Sequence, residues 1–218
     1  MWIIIITERK EEINIFTTEQ EEFWAGEFGN DYSERNAGNN WIASNTALFA
    51  KVLKNTRNIE SVLEFGANIG LNLMALKILL PKAKMSAVEI NKSAIAHLET
   101  NIENIKTYPM SIFDYDPDKK RDFVFIKGVL IHINPDKLQN VYEKLYESSA
   151  KYILVAEYYN PSPVSIPYRG HQNRLFKRDF AGEMMEKYGD LKLINYGFVY
   201  HKDPNFPQDD ITWFLMGK

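Results

Sequence analysis

The chain has 218 residues and a net charge of −3, with 26 Lys and Arg against 29 Asp and Glu, so no cationic surplus is available to neutralise a nucleic-acid backbone. Hydrophobic residues make up 45% and charged residues 25%, a globular balance that argues against a disordered, collagenous or membrane-spanning chain. Cysteine is absent, which removes disulfides, thiolate metal sites and thiol nucleophiles together and fits a soluble protein of the reducing cytoplasm.

The apolar run Trp2 to Ile6 is too short for a signal-peptide core and lacks its basic start and cleavage site, so it reads as an edge strand or extension. Thr18-Glu19-Gln20-Glu21 spells a capping box, predicting a helix over 18–25 ended by Gly26 and Gly29. A second helix is expected over 43–56, with Leu48, Phe49, Val52 and Leu53 on one face. Ser61 to Phe65 reads as a strand running into Gly66-Ala67-Asn68-Ile69-Gly70 and a helix that ends at Pro81. Met85 to Ile90, Ile105 to Met110, Asp122 to Lys127 and Tyr152 to Glu157 read as further strands. Between them lie a helix capped at Asn91 or Ser93 and another that begins at Pro135 and runs to 148. Strands this continuously apolar suit a parallel sheet covered by helices on both faces, joined by right-handed crossovers. After a helix over 178–188, Leu191 to Tyr200 and Ile211 to Met216 are joined only by a loop, which predicts an antiparallel hairpin at one sheet edge. The expected fold class is therefore α/β, a mostly parallel sheet of seven strands. It comprises a domain over 41–218 preceded by an extension and helical cover over 1–40.

Gly66 and Gly70 sit at a strand-to-helix turn, where a missing side chain lets a ligand approach the backbone and the helix N-terminus. Glu89 closes the next strand, where a carboxylate can accept both hydroxyls of a ribose. A nicotinamide fingerprint wants Gly-x-Gly-x-x-Gly. Here Asn68 stands between the glycines and Leu71 follows Gly70, so the glycine that admits a pyrophosphate is missing and a cofactor without one fits better.

With those residues in view, the chain from about Trp41 to Lys218 resembles the class I SAM-dependent methyltransferases. Glu64 to Gly70 is similar to their first motif, Glu-x-Gly-x-Gly-x-Gly, with Asn68 replacing the middle glycine. Val88-Glu89-Ile90 resembles the second motif, whose acid holds the ribose. Ser111-Ile112-Phe113-Asp114 stands where the family places its adenine contacts, and Lys127-Gly128-Val129-Leu130 resembles the fourth motif, beneath the sulfonium. The resemblance implies a Rossmann-like sheet that ends in a reversed strand, S-adenosyl-L-methionine as cofactor, and a cofactor site formed by Glu64, Gly66, Ala67, Asn68, Gly70, Glu89, Ile90, Ser111, Ile112, Phe113, Lys127, Gly128 and Val129. A narrower resemblance rests on Phe23 to Tyr32, Arg35-Asn36 and Tyr168-Arg169-Gly170-His171. These are similar to a methylase subgroup associated with pseudaminic acid biosynthesis, which implies a small sugar-derived acceptor of nonulosonic-acid metabolism. In that reading Tyr32 and Arg35 lie over the cofactor, and Arg35 forks onto its methionine carboxylate.

No two of the four histidines, His97, His132, His171 and His201, have the spacing of a helical metal pair, so no metal site is expected. His97 reads as a surface or half-buried helix residue. His132 either reaches the transfer cleft or is hydrogen-bonded under a helix start. His171, in a long loop after the fifth strand, is either the catalytic base or an ordinary loop histidine. The same loop carries Tyr158, Tyr159, Tyr168 and Arg169, which read as a substrate wall that stacks on a sugar and clamps an anion, or as a subunit contact. Cytosine C5 methylation is excluded for want of a cysteine, and the Asp/Asn-Pro-Pro-Tyr tetrad of nucleic-acid amine methylation is not present at the fourth motif. O- or N-methylation of a small molecule by alignment, aided by a base for an alcohol, is the expected chemistry of a monomer or homodimer. The competing readings are an NAD(P)-dependent reductase and a SAM-binding, non-catalytic partner subunit of a biosynthetic complex.

Overall fold

Residues 16–35, 39–168 and 171–218 are described by the computed structural model; the run Trp2 to Ile6 and Asn36 lie outside them. Three helices come first, α1 (Glu19–Ala25), α2 (Glu27–Arg35) and α3 (Asn39–Leu53). The alternating part follows as β1 (Ser61–Phe65), α4 (Leu71–Leu79), β2 (Lys84–Glu89), α5 (Lys92–Asn101), β3 (Lys106–Pro109), β4 (Arg121–Lys127), α6 (Leu138–Ser148) and β5 (Ser149–Glu157). β1 to β5 pair in parallel in the order β3-β2-β1-β4-β5.

Period-two alternation sends neighbouring residues of each strand to opposite faces. Val62, Phe123 and Phe125 pack with Leu48, Phe49, Leu73 and Leu76 on one side, while Leu63, Phe65, Val124 and Ile126 pack with Val141, Leu145 and Met184 on the other. Two apolar layers therefore clamp one sheet, each fully buried side chain contributing about 1.5–3 kcal/mol by leaving water.

The expected edge hairpin is present as β8 (Lys192–Val199) and β9 (Ile211–Gly217). β9 inserts antiparallel between β5 and β8, so the reversed strand lies one place in from the sheet edge and completes seven strands. Among the described residues no helix is long and apolar enough to cross a membrane.

Two local expectations are corrected. Gly29 does not end a helix: α1 stops at Gly26, and Gly29 lies inside α2, where an added Cβ would collide with the Trp24 carbonyl. Glycine there permits close helix approach. The segment expected as a long loop after β5 contains β6 (Val164–Tyr168) and β7 (His171–Lys177), a separate two-stranded antiparallel ribbon followed by α7 (Phe180–Lys187). Ile166 and the buried Leu175 pair across this ribbon and pack on the second apolar layer, which selects strand geometry in a stretch whose prolines read as loop. Smaller shifts affect helix ends: Pro135–Lys137 forms a single 3-10 turn, its start capped by the Asn134 side chain, before α6 begins.

Candidate functional site

At the carboxyl end of β1 the backbone turns through three left-handed residues, Gly66 (φ +73°), Asn68 (φ +47°) and Gly70 (φ +86°). Asn, with a short polar side chain, is among the few non-glycine residues that enter this region at small cost. Gly66 is required for contact as well as for conformation, because a Cβ there would lie 2.6 Å from Val129 Cγ2. Gly70 is the N-cap of α4 and offers no side-chain cap, so the first amides of that helix remain directed at the turn.

Glu89, at the end of β2, is pinned over this turn: the Asn68 amide donates to Oε2 at 2.7 Å and the Asn91 amide donates to Oε1 at 2.8 Å. The side chain is only 9% exposed, and burial raises its pKa against the opposing pull of those amides. A carboxylate has about four acceptor positions, so each oxygen keeps one for a further donor. Glu64 lies deeper. Asn72 Nδ2 donates to its Oε1 at 2.7 Å, while Oε2 is buried without a partner, and burial pushes this carboxyl well above the usual range.

β4 delivers Lys127 and Gly128 to the same place. Gly128 is left-handed at φ +68°, with nothing within 4 Å of where a Cβ would stand. The next turn is fixed from beneath by Glu157, whose Oε1 accepts from the Val129 and Leu130 amides at 3.0 Å each. Burial pushes the Glu157 carboxyl up to about 7.

Helices α1 and α2 form the roof. Thr18 and Glu21 complete the capping box, with the Thr18 amide donating to Glu21 Oε2 at 2.7 Å. The other Glu21 oxygen accepts from the Ser111 hydroxyl, tying the roof to the segment after β3. Asn91 Nδ2 donates to the Trp24 carbonyl at 3.2 Å and to Asn30 Oδ1 at 2.9 Å, and the Trp24 and His132 rings meet at 4.8 Å between centroids. The cavity beneath this roof measures about 480 Å³.

Of the residues expected from sequence, Gly66, Ala67, Asn68, Glu89, Ile90, Ser111, Ile112, Phe113, Lys127, Gly128, Val129, His132 and Tyr158 line this cavity. Glu64 and Gly70 stand behind its wall, and Tyr159 is 40% exposed with its ring 5.7 Å from that of Phe214. The backbones of Tyr32 and Arg35 lie in α2, and those of Tyr168 and His171 face each other where β6 meets β7; the side chains of all four, and Arg169 entirely, lie outside the described residues. His97 is exposed, and His201 pairs with Asp210 at 2.8 Å on the surface.

Glu21, Trp24, Trp41, Asn45, Asn72 and Asp209 also line the cavity, and sequence reasoning missed them. Glu21 was legible only as a capping residue. Asn72 had a signal, being the polar residue that opens an otherwise apolar helix. Trp41, Asn45 and Asp209 reach the site through tertiary packing alone.

No family model matches the chain, and no curated protein matches it in sequence. Solved structures match it in fold. The DhpI–SAH complex is 18% identical at a TM-score of 0.59, covering 90% of this chain and 94% of that one. An S-adenosylmethionine-dependent methyltransferase from Clostridium acetobutylicum is 12% identical at 0.61, over 87% and 97%. The 1,6-didemethyltoxoflavin-N1-methyltransferase of Burkholderia thailandensis, with bound 1,6-didemethyltoxoflavin and S-adenosylhomocysteine, is 13% identical at 0.63, over 87% and 82%. At such identities the likeness establishes the fold, a Rossmann-like methyltransferase sheet with its reversed strand inside the edge.

Proposed function

We propose that the protein is an S-adenosyl-L-methionine-dependent methyltransferase acting on a small molecule. The observation that carries this reading is Glu89: a buried carboxylate at the end of β2, held by two backbone amides above a left-handed glycine turn, on the wall of the cavity. The unfilled acceptor positions of Glu89 suit the vicinal hydroxyls of a ribose. The open space at Gly128 leaves a cradle that any side chain would fill. Asn72 Oδ1 is buried, has no partner and belongs to a cavity-lining residue, so it suits a donor such as an amino-acid ammonium.

When bound, the cofactor supplies an electrophilic methyl group on a sulfonium. Everything else is the work of the chain. The turn from Gly66 to Gly70 receives the amino-acid end, Glu89 and Ile90 hold the ribose, and Ser111, Ile112 and Phe113 flank the adenine. Lys127, Gly128 and Val129 form the floor, with Glu64 stabilising the turn through Asn72. Tyr32 and Arg35 of the cover are assigned to the cofactor, with residues 1–40 taken as an extension and helical cover of the 41–218 domain. Trp24 and the Glu21–Ser111 contact exclude water, which strengthens every electrostatic interaction inside.

On the acceptor side, Tyr158, Tyr159, Tyr168 and Arg169 form the binding wall, with His171 and His132 as candidate bases. The acceptor is assigned to the sugar-derived compounds of nonulosonic-acid metabolism, with methylation on oxygen or nitrogen, in a cytoplasmic monomer or homodimer. This finer assignment is supported by the resemblance of 23–36 and 168–171 to the pseudaminic-acid-associated subgroup. A nicotinamide cofactor is disfavoured by Asn68, whose side chain occupies the turn where a pyrophosphate requires glycine.

Titration calorimetry tests the assignment. S-adenosylhomocysteine binds and NADH does not, and Glu89→Ala weakens binding by about 1.5–3 kcal/mol, the value of a hydrogen bond to a charged group. Unchanged affinity in a folded Glu89→Ala protein, or binding of NADH alone, removes the assignment. Incubation with methyl-labelled cofactor and extract metabolites then identifies the acceptor. Binding without any labelled product would favour the non-catalytic subunit.

A further inference from the structure

Lys127 ends β4 on the wall of the cavity, and among the described residues its amino group has no hydrogen-bond or ion-pair partner. Three carboxyls act on it without reaching ion-pair contact: Glu64 on β1, Glu157 on β5, and Asp209 from the loop ahead of β9. Glu21, Glu89, His132 and Tyr158 are the other ionisable groups on the cavity wall. Lys127 is half-buried on the cavity wall, with carboxyls near it and none in contact, so its ammonium is only partly compensated. Burial draws its pKa below the ordinary lysine value, with the three carboxyls opposing.

The cofactor assigned above adds a second cation to the same enclosure. A sulfonium and an ammonium on one cavity wall repel, and the ammonium can relieve the repulsion by losing its proton. The neighbouring residue, Gly128, leaves free space on the cavity side of the strand end, so a small acceptor has room beside the amine.

We propose that Lys127 is the proton acceptor of the transfer, and that the acceptor is an alcohol or amine bound with its proton still attached. In the step, a lone pair of the acceptor oxygen or nitrogen forms the new bond to the methyl carbon while the carbon–sulfur pair stays on sulfur. The acceptor's O–H or N–H pair remains on that atom, and its proton passes to Nζ. The products are the methylated acceptor, S-adenosylhomocysteine and a lysine ammonium, which solvent then deprotonates. The inference rests on the cofactor reading and assigns to Lys127 a role for which sequence favoured His171 or His132.

The test uses two probes of known identity, S-adenosylmethionine and S-adenosylhomocysteine, which differ at the reacting centre by one methyl and one positive charge. Titrations of the ligands' own amino and carboxyl groups enter the ratio of their dissociation constants alike for wild type and variants, so they cancel between proteins. In the wild type the ratio of the S-adenosylmethionine constant to the S-adenosylhomocysteine constant falls on the order of tenfold as pH is raised into the alkaline range, as Lys127 sheds its proton and stops repelling the sulfonium. In Lys127→Met the ratio is low and keeps only the smaller pH dependence of the neighbouring carboxyls, Glu64 and Glu157; in Lys127→Arg it is high with that same residual dependence. A wild-type ratio that moves no further with pH than that of Lys127→Met overturns the proposal. Binding of S-adenosylhomocysteine by each variant reports folding and tests the cofactor reading separately; if Lys127→Met does not fold, Lys127→Gln replaces it. With the labelled acceptor in hand, the alkaline rise in kcat is expected in the wild type and absent in Lys127→Met. Its persistence in Lys127→Met would also overturn the assignment.

Discussion

Gly66 and Gly128 share a left-handed backbone and differ in what a side chain would meet. Alanine at either costs about 1–2 kcal/mol of backbone strain. Gly66→Ala also drives its Cβ into Val129 Cγ2, so its urea midpoint is expected to fall the further of the two. Gly128→Ala, entering open cavity space, is expected to retain most of its stability and lose affinity for S-adenosylhomocysteine by calorimetry. Glu157 supplies a pH signature. Its carboxyl titrates near 7 in the folded chain because burial disfavours the charge, and nearer 4 when unfolded. Between these values the folded state holds a proton that the unfolded state has released, so stability falls as pH rises through this window, by on the order of 3 kcal/mol. Glu157→Gln, which keeps an acceptor for the Val129 and Leu130 amides, is expected to flatten that slope in thermal melts between about pH 5 and 7. Glu89 was legible from sequence because its role depends on position in a strand-turn-helix unit. Asn45 and Asp209 were not, since the chain brings them to the cavity only when α3 and the segment before β9 close over the same strand ends.

The roof is held by a small number of polar contacts whose loss is separable from the core. Glu21 serves twice, closing the capping box of α1 and accepting from Ser111. Glu21→Ala is expected to cost about 1–2 kcal/mol of local stability, seen as faster amide exchange over 19–31 while β1 and β4 keep their protection. Slower dissociation of ligand from the wild type than from this variant is the functional counterpart, because opening the roof is the path out. The start of α1 could be read from four residues, Thr18 to Glu21. The β6–β7 ribbon could not, because Pro161, Pro163 and Pro167 dominate its local signal. What overrides them is the cross-strand pair Ile166 and Leu175 packing against a layer that only the assembled sheet provides.

Across the whole molecule, the alternation of apolar strands and helices made the parallel layers legible from composition and period alone, and the missing crossover after β8 made the hairpin legible too. The place of β9 inside the sheet was not, because adjacency to β5 is decided by pairing between segments far apart in the chain. That placement also has a bearing on biogenesis. β9 leaves the ribosome after every other strand of this sheet, yet it joins β5, the outermost strand of the parallel block, to β8. Until it emerges, the nascent chain must carry β5 with one edge bare and β8 with nothing to join, an invitation to mispairing that chaperones would need to shield. The corresponding kinetic expectation is a late role for this strand in refolding. Leu215→Ala, at a fully buried position of β9, should accelerate unfolding in a chevron experiment while leaving the refolding limb nearly unmoved. Phe125→Ala, at a fully buried position in the middle of β4, should slow refolding.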